Sequence, residues 1–138
     1  ELAGITDERV ELVGNVRFSE GLGTSLAQGV RACSWGTETV LGVLADAPFF
    51  TVDDVDALIE AHEQGARIAV PVYEGRRGHP VLLDGTYRDQ LETLSGDAGA
   101  RHLIEEESEQ VVPVERPDQG FLVDIDDSED YEAVREGI

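Results

Sequence analysis

The sequence predicts an α/β fold with a parallel, doubly wound sheet, and three features of the chain support this. Residues 39–45 form an apolar run that is rich in β-branched side chains, residues 52–64 show a helical pattern, and residues 68–72 form a second apolar run. An apolar run without polar alternation is typical of a strand buried on both faces of a parallel sheet. Alternation of such strands with helices is typical of doubly wound folds.

The first strand is predicted to end at Asp46, because Pro48 cannot donate a hydrogen bond to a sheet. Thr51 and Asp54 have the spacing of a capping box at the start of the following helix. Gly65 is expected to end that helix.

A helix from Thr24 to about Cys33 is predicted before this strand, preceded by a short strand at residues 10–13. The hydroxyls of Thr24 and Ser25 can cap the free N–H groups of the helix. They can also contact the polar edge of a ligand, since helix N-termini attract anions. Both readings stay open at this point.

The second half of the chain continues the alternation of elements. Predicted strands are residues 81–83, 111–114 and 121–123, and predicted helices are residues 86–94, 101–107 and 129–136, with Ser128 as the cap of the last helix. No repeat or linker interrupts the pattern, so we expect one domain, residues 1–138.

Composition excludes several functional classes. The net charge is −20, and all ten basic residues are Arg. A dispersed acidic coat of this kind is typical of halophile proteins, and we expect a halophilic archaeal source. The coat argues against nucleic acid or an anionic membrane as a partner, since both need a basic face. No apolar run approaches the ~20 residues that span a membrane.

Cys33 is the only cysteine, which excludes an internal disulfide and favours a reducing cytoplasm. Its expected role is that of a small buried apolar side chain. One Cys and three scattered His provide no zinc-ligand spacing, and no Gly-x-Ser-x-Gly elbow is present. The chain also contains no Met, which indicates a fragment with further sequence before Glu1.

Acidic side chains near two predicted strand ends are candidate metal ligands. Asp46 follows the first strand, and Asp124 and Asp126 follow the predicted strand 121–123. Asp124 and Asp126 alternate with Ile125, so both point to one side of an extended chain. Mg²⁺ usually takes one or two protein carboxylates and completes its shell with phosphate and water oxygens. In a chain this acidic, the alternative is a set of solvated loop acids.

The loop 75–80 carries a more specific signal. Its glycines let a ligand approach the backbone, and Arg76 or Arg77 can contact a phosphate in a bidentate manner. His79 is held extended by the proline that follows it. A purely structural hydrogen bond is the alternative role for His79.

Five segments in order carry a resemblance to a known family. They are residues 18–26 (FSEGLGTSL), 44–48 (LADAP), 77–80 (RGHP), 95–101 (SGDAGAR) and 124–131 (DIDDSEDY). Together they resemble the molybdenum cofactor cytidylyltransferases, which belong to the larger group of MobA-like nucleotidyltransferases. The chain corresponds to roughly the last two-thirds of such an enzyme.

The resemblance implies a nucleotide-diphospho-sugar transferase-like fold: a doubly wound, mostly parallel sheet with helices on both faces. It also implies Mg-dependent transfer of CMP from CTP to molybdopterin carrying molybdenum, with release of pyrophosphate. The resemblance assigns Asp46 as a metal ligand, with Asp124 or Asp126 as the second acid. It places Ser25 and its neighbour Thr24 near the nucleotide. The residues that it places on the pterin side are Arg77, Gly78, His79, Pro80, Ser95 and Asp97.

This sequence departs from the family pattern in two places. Ala45 stands where the family usually has Gly before the metal-binding Asp. The N-terminal glycine-rich phosphate loop, with its Arg and Lys, is absent, and we expect this unit to lie upstream of Glu1 or to have been lost. Residues 1–138 alone are expected to bind nucleotide weakly and to turn over little or none. Two alternatives therefore stay open: a MobA-like transferase that uses GTP or another acceptor, and a non-catalytic module that holds the molybdenum cofactor or binds a molybdoenzyme.

Overall fold

The computed structural model describes residues 7–137, which form a five-stranded sheet with helices. The predicted features that involve residues 1–6 lie outside the described residues. The strands are β1 (Thr39–Gly42), β2 (Ile68–Tyr73), β3 (Arg76–Arg77), β4 (Val81–Asp84) and β5 (Val111–Glu115). The helices are α1 (Leu22–Ala32), α2 (Val52–Glu63), α3 (Arg88–Glu92), α4 (Arg101–Glu106) and α5 (Ser128–Gly137). In this part of the chain no helix has the length and apolarity needed to cross a membrane.

The sheet is mixed, with strand order β1–β4–β2–β5. Since β4 pairs antiparallel with both β1 and β2, these two outer strands run in the same direction, and β5 pairs parallel with β2. The predicted strand 81–83 is confirmed, but its antiparallel direction makes the prediction of a mostly parallel sheet wrong. The physical reason is the connection: only seven residues, 74–80, link β2 to β4, which is too short for a parallel crossover.

Helices cover both faces of the sheet. On one face Ile68, Val70 and Val72 pack with Val30 of α1 and with apolar residues of α3 and α4. On the other face Ala69 and its neighbours in the sheet pack against α2. The alternation along β2 follows from the two-residue period of a strand. Every residue from 68 to 72 is buried, as the apolar run predicts.

Strand β1 is shorter and more exposed than its sequence predicts. It ends at Gly42, which pairs with Val81. In this antiparallel register the residue opposite Val43 is Pro80, which has no N–H with which to extend the ladder. β1 is also an edge strand in the described residues, so Leu41 is 36% exposed and the prediction of a strand buried on both faces is wrong here.

Two predicted strands are absent from the described residues. Residues 10–13 form no regular element and are exposed. The apolar stretch 121–123 is largely a single 3₁₀ turn, Gly120–Leu122, in which Phe121 is 1% exposed. The apolar pattern therefore reports the burial of Phe121 and not a strand.

The capping residues predicted for α2 are confirmed, and those predicted for α1 and α5 are wrong. The capping box of Thr51 and Asp54 is confirmed, and Gly65 follows α2 with φ 105°. Helix α1 is capped by Gly21, which has φ 109° and no side chain, so the predicted hydroxyl cap is wrong. At α5 the cap is Asp127, whose Oδ1 accepts hydrogen bonds from the N–H groups of the second and third helical residues, and not Ser128.

Candidate functional site

A cavity of about 910 Å³ lies between α1, the first strand and its continuation to Leu44, and the loop between β3 and β4. Its walls are mainly aliphatic side chains and glycine backbone. The side chains that give it polar character are Ser25, Arg77, His79, Arg101 and Glu105. A mostly apolar cavity with a few polar side chains is the usual form of a small-molecule site.

The register of the sheet explains why Arg77 lines this cavity and Arg76 does not. Arg77 pairs with Val72 and Arg76 with Tyr73. Paired residues on neighbouring strands share a face, and Val72 packs on the face of α1. Arg77 therefore points to the cavity, whereas Arg76 points to the opposite face. Within residues 7–137 neither guanidinium has a hydrogen bond or an ion pair.

Close packing holds the Arg77–His79 loop in place. The N–H of Gly78 donates to the carbonyl oxygen of Pro71 at 3.1 Å. A Cβ at Gly78 would lie 2.5 Å from Cδ2 of Phe121 and 2.9 Å from Cδ2 of Leu122, so only glycine allows this approach. Gly78 thus has a packing role, and the residues on either side of it are positioned at the cavity.

His79 is partly buried, and its Nδ1 atom is fully buried. Among the described residues, this atom has no hydrogen-bond partner. The structural hydrogen bond considered for His79 is therefore not found at Nδ1. Burial of a polar atom without a partner costs about 1–3 kcal/mol, so the site retains this polar atom at an energetic cost. The following Pro80 is buried and does not line the cavity.

The two hydroxyls at the start of α1 differ in position. Thr24 is buried, and its Oγ1 has two backbone carbonyl oxygens within reach of its one proton, that of Gly21 at 2.8 Å and that of Arg17 at 3.0 Å. Ser25 is exposed and lines the cavity, with its Oγ accepting a hydrogen bond from Nδ2 of Asn15 at 2.9 Å. Thr24 therefore supports the turn, and Ser25 is the hydroxyl available to a ligand.

A backbone hydrogen bond joins the two segments that carry the candidate metal ligands. The N–H of Ile125 donates to the carbonyl oxygen of Asp46 at 2.7 Å, which places Asp124 and Asp126 beside the loop that carries Asp46. Asp46 lies two residues beyond Leu44, a residue of the cavity wall. No cluster of three or more acidic, His or Cys side chains suited to a metal occurs in the described part of the chain. Asp46 with Asp124 or Asp126 stays a prediction, for an ion that takes one or two protein carboxylates and binds ligand oxygens at its other positions.

The loop 95–101 contributes its second half to the cavity. Residues 98–101 line the wall, whereas Ser95 and Asp97 are exposed and do not. The backbone of the first half packs on the start of α1: the N–H of Gly23 donates to the carbonyl oxygen of Gly96 at 2.8 Å. A Cβ at Gly23 would lie 2.8 Å from the Ser95 carbonyl carbon, so this contact requires glycine.

Sequence reasoning missed a buried ion pair that supports this edge of the sheet. Nε of Arg116 lies 2.6 Å from Oδ1 of Asp54, whose side chain is 5% exposed. Burial raises the pKa of Asp54, but hydrogen bonds from Thr51 and Arg116 outweigh it, and the pKa lies below its ordinary value. The predicted capping box identified Asp54, but no local pattern links it to Arg116, which lies 62 positions away.

A comparison with protein families decides the classification. Residues 1–112 match the MobA-like NTP transferase domain. The chain belongs to this family. It is 35% identical over 120 residues to the purine catabolism protein PucB of Bacillus subtilis, and 32% identical over 127 residues to the nicotine blue oxidoreductase of Paenarthrobacter nicotinovorans. These matches cover 84% and 86% of the chain, but the chain spans only 57% and 61% of the lengths of these relatives.

Solved structures support the same fold. A homologue of Rv0371c from Mycobacterium sp. strain JC1 superposes with a TM-score of 0.70 at 31% identity, covering 82% of this chain and 56% of that one. Rv0371c from Mycobacterium tuberculosis superposes with a TM-score of 0.71 at 22% identity, covering 84% of this chain and 60% of its own. A manganese complex of Rv0371c gives a TM-score of 0.66 at 22% identity, covering 83% and 61%.

Proposed function

We propose that the protein is a cytoplasmic nucleotidyltransferase that transfers CMP from CTP to a molybdopterin-type molybdenum cofactor and releases pyrophosphate. Membership of the MobA-like NTP transferase domain family supports nucleotidyl transfer. The structural observation that supports the proposal is the hydrogen bond from Ile125 to Asp46, which joins the two segments that carry the candidate acids. Leu44, two residues before Asp46, lines the cavity. Ligands of open α/β sheets bind at this carboxyl edge.

The acidic residues provide a hard-cation site. Asp46, with Asp124 or Asp126, would hold Mg²⁺, which when bound neutralises charge on a triphosphate and on the pyrophosphate leaving group. The donor set fits this ion because it consists of carboxylate oxygens alone, and because one or two carboxylates leave room for phosphate oxygens. The structure assigns neither Asp124 nor Asp126 as the second ligand.

The reaction needs no protein nucleophile. A phosphate oxygen of the acceptor attacks the α-phosphorus of CTP, the new P–O bond forms, and the bond from that phosphorus to the bridging oxygen breaks as pyrophosphate leaves. The protein then has to position two anionic groups in line. The hydroxyl of Ser25, which lines the cavity, is available to orient the nucleotide.

Nucleotide binding is tested by the thermal stability of the full-length gene product in high salt, with Mg-CTP and with Mg-GTP. A ligand that binds only the folded state raises the melting temperature. We expect an increase with CTP. An increase with GTP alone would assign the protein to the guanylyl-transferring type. No increase with either nucleotide would contradict nucleotidyl transfer and favour a module that binds the molybdenum cofactor or a molybdoenzyme.

The role of Asp46 is tested by Asp46→Asn in the same protein. We expect the rate of CMP transfer to fall by at least about a hundredfold, because a metal-binding carboxylate is lost. Folding should be unaffected, since Asp46 is exposed. Asp56→Asn, at an exposed position of α2, removes the same charge away from the site and should keep full activity. Equal activity of wild type and Asp46→Asn would overturn the assignment.

A further inference from the structure

We propose that Asn15 is a positioning residue that fixes the hydroxyl of Ser25 as a hydrogen-bond donor to the nucleotide. This inference rests on the proposed function and adds to it in two ways. It names a residue that acts through Ser25, and it names the kind of ligand atom that Ser25 contacts, which is a hydrogen-bond acceptor. The observation behind it is a set of three hydrogen bonds around the amide of Asn15.

Asn15 turns inward from a segment that is otherwise open to solvent. Its neighbours Gly14 and Val16 are exposed, and Val16 is 94% exposed, whereas Asn15 is partly buried. The segment forms no helix or strand at this point. The side chain of Asn15 contacts Thr24 and Ser25, nine and ten positions further along the chain, in the first turn of α1. The amide therefore joins this segment to the part of α1 that carries the cavity hydroxyl.

The partner of Oδ1 fixes the direction in which the amide of Asn15 points. The backbone N–H of Arg17 donates to Oδ1 at 2.9 Å. Because a backbone N–H is only a donor, the atom that it contacts must be the amide oxygen. The amide nitrogen then faces α1, where Nδ2 lies 2.9 Å from Oγ1 of Thr24 and 2.9 Å from Oγ of Ser25. Nδ2 carries two protons, one for each hydroxyl.

Both hydroxyls accept a hydrogen bond from Asn15, but their own protons differ in what they can reach. The proton of Thr24 has the carbonyl oxygens of Gly21 and Arg17 within reach. The proton of Ser25 has no acceptor within residues 7–137, and Ser25 is exposed and lines the cavity. Asn15 occupies one lone pair of the Ser25 oxygen, so the proton of this hydroxyl is left for a ligand.

The direction of this hydrogen bond selects the ligand atom. A hydroxyl can in general donate or accept, but the Ser25 oxygen already accepts from Asn15 and its donor capacity is unused. A nucleoside triphosphate offers matching acceptors in its phosphate oxygens and in the carbonyl oxygens or ring nitrogens of its base. A hydrogen bond to a charged phosphate oxygen is the stronger of these. An amino group, by contrast, would compete with Asn15 for the lone pairs of the same oxygen.

The central test is Asn15→Asp in the full-length gene product, compared with Val16→Asp. The carboxylate has the shape of the amide but cannot donate, so the Ser25 proton turns to it and is lost to the ligand. We expect the KM for Mg-CTP to rise about three- to tenfold, with kcat and the acceptor KM unchanged. Val16→Asp adds the same charge at the neighbouring, exposed position and should leave all three constants unchanged. Equal increases in both variants would indicate a general charge effect and overturn the proposal.

A double-mutant cycle with Ser25→Ala distinguishes positioning from support of the fold. Ser25 is exposed, so Ser25→Ala should keep the wild-type melting temperature and raise the KM for CTP by the same factor as Asn15→Asp. Adding Asn15→Asp to Ser25→Ala should then raise the KM no further, because both changes remove one hydrogen bond to the ligand. Two factors that multiply, or a lower melting temperature in both Asn15 variants, would mean that Asn15 supports the fold independently of Ser25.

Calorimetry with Mg-CTP and with Mg-tripolyphosphate identifies the acceptor atom and separates this inference from the proposed function. Weaker binding of both probes to Asn15→Asp than to Val16→Asp assigns the acceptor to a phosphate, and a difference with CTP alone assigns it to the base. If CTP binds and is turned over but the two variants are alike with both probes, the proposed function stands and the role of Asn15 is wrong. If the wild type binds tripolyphosphate but no nucleotide, and Asn15→Asp binds it more weakly, the reverse holds. Binding of neither probe to the wild type would overturn both.

Discussion

The cluster around Asp84 at one edge of the sheet and the loop 75–80 at the other edge use charged residues in opposite ways. At the edge where β1 and β2 begin, both carboxylate oxygens of Asp84 have partners. Oδ2 lies 2.8 Å from Nε2 of His62, and Oδ1 accepts a hydrogen bond from the hydroxyl of Thr86 at 2.6 Å. Nη2 of Arg67 donates to the same Thr86 hydroxyl at 2.8 Å. At the carboxyl edge, Arg77 has no partner among the described residues.

This difference separates charges that stabilise the fold from charges that a ligand can use. A polar group with an internal partner contributes to the free energy of unfolding, and its partner occupies the position a ligand would need. A polar group without one reduces stability slightly but keeps its hydrogen-bonding capacity. The comparison therefore predicts that substitutions at paired positions lower stability, whereas substitutions at the cavity lower binding.

The largest effect on stability is expected at the buried pair beneath the carboxyl edge. Arg116→Met leaves the Asp54 carboxylate buried without its counter-ion, and we expect the free energy of unfolding to fall by about 3–5 kcal/mol. Chemical denaturation at pH 7 measures it. Arg135→Met removes an exposed pair, whose Arg is 66% exposed, and should cost less than about 0.5 kcal/mol. A cost of similar size for both would contradict the structural role of Asp54 and Arg116.

A smaller loss of stability is expected where the cavity loop packs on the 3₁₀ turn. Gly78→Ala places a methyl group 2.5 Å from the buried ring of Phe121, and we expect a cost of about 2–3 kcal/mol. Because the loop must move, the acceptor KM should rise as well. The control is Gly36→Ala, since a Cβ at Gly36 meets nothing within 4 Å and Gly36 does not line the cavity. Unchanged stability and KM in Gly78→Ala would show that the loop is not held by this contact.

The opposite edge provides a test by pH. The Thr86 hydroxyl, followed by His62, lowers the pKa of Asp84 from 3.8 to about 2. Because the pKa of Asp84 is lower in the folded protein than in the unfolded chain, the ionised carboxylate stabilises the fold above about pH 4. This contribution to the free energy of unfolding is lost as the pH falls from about 4 to about 2. Asp84→Asn should therefore lower the free energy of unfolding by on the order of 1–2 kcal/mol at pH 6.

The difference between Asp84→Asn and wild type should shrink towards zero as the pH falls through that window, as followed by urea denaturation. Gln90→Ala, at an exposed position of α3, is the control: it removes no titratable group, so its difference from wild type should not depend on pH. A difference for Asp84→Asn that is constant between pH 6 and pH 3 would exclude ionisation of Asp84 as its source.

Local patterns in the sequence predicted most elements of the fold but not their pairing. The capping box of Thr51 and Asp54 and the buried run 68–72 depend on neighbouring residues, and both are confirmed. The antiparallel direction of β4 and the pair between Asp54 and Arg116 depend on residues far apart in the chain. At the site, the loop glycines indicated Arg77 and His79, but only the register of β3 with β2 distinguishes Arg77 from Arg76.

The smallest change in stability is expected for substitutions of two histidines, His62 at one edge of the sheet and His79 at the other. Because both changes replace His by Leu, they compare the two edges directly. His62→Leu removes a partner of the partly buried Asp84, and we expect it to lower the free energy of unfolding by about 1 kcal/mol. His79→Leu removes a buried nitrogen that has no partner in the described chain, so stability should be unchanged or higher by up to about 1 kcal/mol. The acceptor KM should change in the reverse order, rising for His79→Leu alone. A stability loss in His79→Leu as large as that in His62→Leu would mean that His79 supports the fold, and the distinction between the two edges would fail at this residue.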